Sequence, residues 1–191
     1  MIDQFIWLDH EIFIWLQERL RGSFADVWIV LSRDKWFWLP VYVSVLTWII
    51  STFPRRWYLI FLISLVLIVI LDQGSGIIKK TIQRERPCRE LYFKDHFQTM
   101  ISCSGGFSFP SSHATNHAGI GVYIFLLMGY RGIGSVRYFF LIWPLWVSLA
   151  QVLVGVHFPI DVIFGLVTGS VIAIIAYSLT ITMLKKLEIT H

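Results

Sequence analysis

From Leu59 to Leu71 the chain is aliphatic or aromatic at every position except Ser64. Further long apolar runs follow between 111 and 184. Hydrophobic residues make up 56% of the 191 positions and charged residues 15%, whereas a soluble domain carries roughly 45–50% and about 25%. Mean hydropathy is +0.67. An excess delivered as unbroken runs points to lipid as the solvent, and in hydrocarbon the backbone satisfies itself as helix or closed barrel. The runs are long enough for helices. The expectation is therefore an all-α integral membrane bundle in one domain over 1–191, with no linker or repeat dividing it.

Five spanning helices are expected, at about 27–53, 57–80, 111–130, 138–156 and 160–184. Ahead of them, residues 1–24 mix Phe5, Ile6, Ile12, Phe13 and Leu16 with Asp3, Asp9, Glu11 and Glu18. That mixture at helical spacing predicts an amphipathic helix lying in the interface. Residues 81–110 are too polar to span. The acidic opening and the lack of a small-residue cleavage site argue against a cleaved signal peptide.

A net charge of +4 raises the question of nucleic acid. No binding motif appears and the aromatic residues sit in membrane runs, so membrane lipids are the expected partners. Alternation of the spans puts Arg55, Arg56, Arg131, Arg137, Lys185 and Lys186 on one face, read as cytoplasmic. The opposite face carries more Lys and Arg by raw count, of which Lys79, Lys80, Arg84 and Arg86 are read as functional. The protein is thus placed in the cell (inner) membrane, multi-pass, with the polar 81–110 loop on the periplasmic or extracellular side.

Three polar clusters converge on that face. Lys79 and Arg86 stand seven residues apart, about two helical turns, and Pro87 ends the element. Phe109-Pro110-Ser111-Ser112-His113 opens an apolar helix, whose start offers unpaired N–H groups and the positive end of its dipole to an anion. His157 precedes Asp161 by one turn, so the carboxylate can hold one imidazole tautomer and leave the other nitrogen free. Each cluster alone has an ordinary explanation: a stop-transfer signal, a capped helix, a structural His–Asp pair. Their shared location supplies an anion clamp, a general acid and a nucleophile, the parts phosphoryl transfer needs.

The pattern Lys79-x6-Arg86-Pro87, then Pro110-Ser111-Ser112-His113, then Ala150-Gln151-x5-His157-x3-Asp161 resembles the type 2 phosphatidic acid phosphatase family, with its six-helix core. The resemblance implies that His157 forms a phosphohistidine, that Asp161 orients it, and that His113 protonates the leaving group. Lys79, Arg86, Ser111, Ser112 and position 151 would bind the phosphoryl oxygens, with no cofactor and no metal. It further implies a lipid phosphate substrate, of which a polyprenyl diphosphate such as undecaprenyl diphosphate is favoured. Phosphatidylglycerol phosphate, phosphatidate and a lipid A phosphate are the alternatives.

Two departures stand out. Ser112 replaces a Gly, which a helix start tolerates. Gln151 replaces an Arg, exchanging a charged fork for a neutral amide. That exchange leaves open a weakened enzyme or a non-catalytic lipid-binding protein, with Arg84 and Arg89 as candidate substitutes. Transfer of phosphate to a second lipid would use the same residues. His113, His117, His157 and Asp161 could alternatively form a metal site. Cys88 and Cys103 lie in the same loop and are expected to pair if that face is oxidising, the alternative being two free thiols. Oligomeric state is not legible in the sequence.

Overall fold

The computed structural model describes residues 2–94 and 98–189, and among them every regular element is helical. Residues 95–97 of the expected 81–110 loop lie outside the described residues. In order the helices are α1 (Ile2–Leu20), α2 (Ser23–Ser32), α3 (Leu39–Thr52), α4 (Trp57–Ile82), the single turn α5 (Leu91–Lys94), α6 (Ser112–Tyr130), α7 (Phe139–Leu153) and α8 (Pro159–Ile189).

The α1 helix turns two of its polar residues inward, while Glu11, Glu18 and Arg19 stay exposed. Asp9, Phe13 and Gln17, spaced one turn apart, are buried, whereas Phe5, Trp7, Leu8 and Trp15 are exposed. Gln17 Nε2 donates to Val152 O at 2.7 Å, fixing α1 to the end of α7. Its apolar outer face is what an interfacial helix presents to lipid.

The expected span 27–53 is two helices, α2 and α3, separated by Arg33–Trp38. The reason is local. Asp34 Oδ1 accepts from the Trp36 backbone N–H at 3.0 Å, closing an Asx-type turn, and the Trp38 indole donates to Ser32 O at 2.5 Å. Pro40 sits in the first turn of α3, where its missing N–H costs nothing. Of the four successive polar residues Ser32 to Lys35, the first ends α2 and the other three leave the helix.

Among the described residues, three helical stretches are long and apolar enough to cross a membrane, Trp57–Ile82, Ser135–Leu153 and Pro159–Leu187. The outward side chains of α4 and α8, among them Leu62, Val69, Ile163, Val167 and Ile175, are more than half exposed, as lipid-facing residues should be. The α6 helix differs because it is central. Ala114, Thr115, Ala118, Gly119, Gly121, Ile124 and Leu127 are buried along it, so it can carry polar residues in its first turns. Small residues let α6 and α8 approach closely: a Cβ on Gly165 would lie 2.8 Å from Ser111 O and 2.9 Å from Thr115 Oγ1.

This packing separates two ends. At one, the Arg56 guanidinium donates to Leu187 O at 3.2 Å and Arg131 lies 5.2 Å from the Phe53 ring centroid. At the other meet the end of α4, the start of α6, the α7–α8 turn and α1.

Candidate active site

His157 lies in the turn between α7 and α8, which Gly155 opens with a φ of 83°. It is buried, and Asp161 below it is fully so. Nδ1 of His157 stands 3.5 Å from Asp161 Oδ2. Nε2 faces the Arg86 guanidinium at 3.5 Å. The Asp161 carboxylate is fixed from every side. Its Oδ2 accepts from Phe158 N at 2.8 Å and from the Ser108 hydroxyl, and its Oδ1 accepts from Arg84 at 2.8 Å. A carboxylate this constrained sets the ring's tautomer: Nδ1 carries the hydrogen and Nε2 keeps its lone pair. Burial pulls the His157 pKa down to about 4, Asp161 opposing and Arg86 and Lys79 reinforcing the shift. The ring is neutral at ordinary pH.

Arg86 follows the end of α4, and Pro87 holds the chain extended there. Its guanidinium donates to Val156 O at 3.1 Å and Gly106 O at 3.3 Å, which anchors it beside His157. Burial lowers its pKa from the ordinary value and the charge of Arg89 adds to this, while Asp161 opposes it. Cys88 and Cys103 form a disulfide with Cα atoms 5.9 Å apart. It joins the segment after Arg86 to the segment whose carbonyls Arg86 holds. Closing a loop of this size is worth about 3 kcal/mol in the chain-entropy account.

On α4, Lys79 Nζ spends its donors on the carbonyls of Phe107, Ser108 and Pro110, at 3.1, 3.2 and 2.5 Å. In this arrangement it holds the strand of loop leading into α6. Ser111 caps α6, its hydroxyl accepting from Ala114 N at 3.4 Å, while its own N–H donates to Asp161 O at 3.0 Å. That last bond ties the second cluster to the third. Ser75 Oγ donates to Ser112 Oγ at 2.9 Å. His113, one residue on, lines a cavity of about 570 Å³ together with Ser112, Asn116, His117 and Asp72. The first-turn N–H groups of α6 have no helical acceptor, so its positive end is turned to the same place.

The structure therefore brings Lys79, Arg86, Ser111, Ser112, His113, His157 and Asp161 to one end of the bundle. Gln151 reaches this end too, but its side chain makes no polar contact there. It is fully buried on the last turn of α7, and neither its Nε2 nor its Oε1 has a hydrogen-bond partner. Arg84, one candidate for the missing cation, is occupied: besides Asp161 it pairs with Asp9 at 2.6 Å and lies 4.1 Å from the Phe158 ring centroid. Arg89, the other, is exposed and donates to Gly106 O and Ser104 O. His117 Nδ1 rests 2.9 Å from His113 O and its ring meets Trp143 edge-on. Among the described residues no group of three or more His, Cys, Asp or Glu is placed to hold a metal ion.

Sequence reasoning missed Ser108 and Asp9. Ser108 is one of several serines in a Gly- and Ser-rich loop, with nothing local to single it out. Asp9 reads as one acid on an amphipathic helix, yet its Oδ1 accepts from Ile160 N at 2.9 Å in the first turn of α8. The usable signal was its register with Phe13 and Gln17.

The site thus holds a buried imidazole backed by a carboxylate and faced by a guanidinium, with a second His in the first turn of α6 at the same end of the bundle. Residues 57–183 match the PAP2 superfamily, and the chain belongs to it. It is a membrane protein of a family whose relatives here are phosphatases. The chain is 25% identical over 158 residues to the lipid A 4'-phosphatase of Bacteroides thetaiotaomicron, covering 78% of this chain and 67% of that protein. It is 33% identical over 104 residues to the decaprenylphosphoryl-5-phosphoribose phosphatase of Mycobacterium tuberculosis, covering 53% of this chain and 51% of that one. The fold matches the first transmembrane PAP2 type phosphatidylglycerolphosphate phosphatase from Bacillus subtilis with a TM-score of 0.73 at 19% identity, over 92% of this chain and 86% of that one.

Proposed function

We propose that the protein hydrolyses a phosphomonoester on the headgroup of a membrane lipid through a phosphohistidine at His157. The observation that carries this reading is the placement of His157, with Nδ1 3.5 Å from Asp161 and Nε2 3.5 Å from Arg86. The Nε2 lone pair attacks phosphorus and the P–O bond to the lipid breaks. His113 gives its proton to the departing oxygen. Water then attacks the phosphohistidine as His113 takes a proton back, and inorganic phosphate leaves. Arg86 and the α6 N-terminus balance the charge that gathers on the phosphoryl oxygens.

The substrate class follows the relatives' names, which describe phosphate carried on lipid A or on a lipid-linked ribose. The cavity beside His113, where a leaving group would sit, is lined by Asp72, Asn116 and His117, polar partners suited to a sugar. These two points favour a saccharide-bearing lipid over the polyprenyl diphosphate suggested by resemblance alone. We place the site on the non-cytoplasmic face of the cell membrane. Support comes from the disulfide beside it and from the Arg55, Arg56 and Arg131 cluster at the opposite end.

Phosphate release from a lipid A phosphate, phosphatidylglycerol phosphate and undecaprenyl diphosphate tests this, with His157→Ala as control. The expected order puts the sugar monoester first, with His157→Ala inactive on all three. Preferred turnover of the diphosphate would overturn the substrate class; an active His157→Ala would overturn the chemistry.

A further inference from the structure

The site is one guanidinium short of its family's pattern, and the structure contains an unassigned one. Arg33 stands at the C-terminal end of α2 and begins the break before α3. Its Nε is buried without a hydrogen-bond partner, and among the described residues its side chain forms no hydrogen bond or ion pair. It lines the same cavity as Ser112 and His113. We propose that Arg33 grips the substrate's phosphoryl group and so replaces the arginine that position 151 lacks. The inference rests on the phosphatase reading above.

Three observations converge on this residue. First, Gln151 ends two bonds short of where a guanidinium would end, and its amide is buried without partners. The α7 helix therefore brings no cation to the phosphate. Second, the cations on the catalytic loop and α4 are engaged, and Lys35, which lines the same cavity, stands over the Trp36 ring and offers a point charge rather than a fork. Lys79 is held by three carbonyls, Arg84 by two carboxylates and Arg89 by two carbonyls. Third, α2 delivers Arg33 to the right quarter of the site. Ile29, one turn before Arg33, packs in one cluster with Ala150 and Leu153, the neighbours of Gln151.

The helix break gains a purpose from this. A continuous helix over 27–53 would span more simply. Irregular backbone at membrane depth is tolerated where it lines a cavity, and an ionisable residue there is most often functional. Arg33 also lies within electrostatic reach of His113 and of Arg86. Two guanidiniums that repel one another are relieved by an anion held between them. A cation serving only to anchor the chain at lipid headgroups would instead be free to leave the cavity.

The test uses the full chain in detergent, with p-nitrophenyl phosphate as substrate and orthovanadate as the phosphoryl mimic. Arg33→Gln should lower kcat/KM by about 30- to 1000-fold, the usual range for losing one charged oxyanion contact. It should weaken vanadate inhibition by a comparable factor and leave the melting temperature unchanged. Adding Gln151→Arg to that variant should recover at least about tenfold, because the two positions supply the same contact. Arg33→Lys, which keeps the charge but loses the fork, should fold normally and bind vanadate more weakly than the wild type. Full turnover and vanadate affinity in Arg33→Gln, with His157→Ala inactive, would refute the role of Arg33 and leave the histidine chemistry standing. Wild-type vanadate affinity in Arg33→Lys would count against it as well. Activity in His157→Ala would instead refute the reading beneath it.

Discussion

At the scale of single residues, the proposed chemistry asks His157 to be both buried and nucleophilic, and its surroundings reconcile the two. Burial disfavours the charged imidazolium, so the ring stays neutral with its pKa near 4. The sign is simple: the ring is protonated below that value and available for attack above it. Titration of the 15N-labelled ring by NMR should give a midpoint near 4, with the ring already neutral through the range where a free imidazole titrates. A midpoint at the ordinary 6.5 would contradict this environment. Replacing Asp161 with Asn removes the group that raises the pKa, so the midpoint should fall further as the tautomer is lost. The register that pairs the two residues, one helical turn apart, is legible in the chain itself. What surrounds them is not. Ser108 reaches Asp161 from 53 residues away with no local pattern to mark it, and Arg84, marked only as part of a basic cluster, reaches it from 77 residues away. Gln151 was legible as a departure, but its isolation and the presence of Arg33 emerge only in three dimensions.

At the scale of elements, the crossing of α6 and α8 fixes the site. The Ser111 N–H bonds Asp161 O at 3.0 Å at the top of the crossing. Eight residues along α8 from Asp161, Gly169 lies so near α6 that a Cβ there would run into Thr115 O and come within 3.0 Å of Gly119 N. Gly169→Ala should therefore drive the helices apart, costing about 1–3 kcal/mol as overpacking does, and should lower both thermal stability and turnover. Val171→Leu, on the exposed face of the same helix, should change neither. Wild-type stability and activity in Gly169→Ala would show that the close crossing is dispensable. Apolar run lengths predicted α4, α6, α7 and α8 to within a few residues, because hydrocarbon leaves helices few ways to end. They failed at 27–53, where a four-residue polar step weighs little against the apolar residues flanking it. Only the Asp34 turn and the Trp38 bond to Ser32 show why the chain breaks there.

At the scale of the molecule, the bundle keeps its chemistry at one end and a cluster of arginines at the other, with lipid-facing side chains between. On the proposed function, a substrate anchored in the same membrane need only bring its headgroup to the cavity beside His113, so a small bundle can serve a large lipid. The N-terminal helix is part of this design. Asp9 reaches both Arg84 and the first turn of α8, so α1 braces the site while its aromatic outer face rests in the interface. The proposed chemistry requires that the histidine at 157 become covalently phosphorylated. Rapid quenching of the enzyme with 32P-labelled lipid phosphate should trap a phosphoenzyme that is labile to acid and stable to base, as a P–N bond is. Peptide mapping should place the label on His157, and His157→Ala should carry none. Label on any other residue, or steady turnover in His157→Ala, would contradict it.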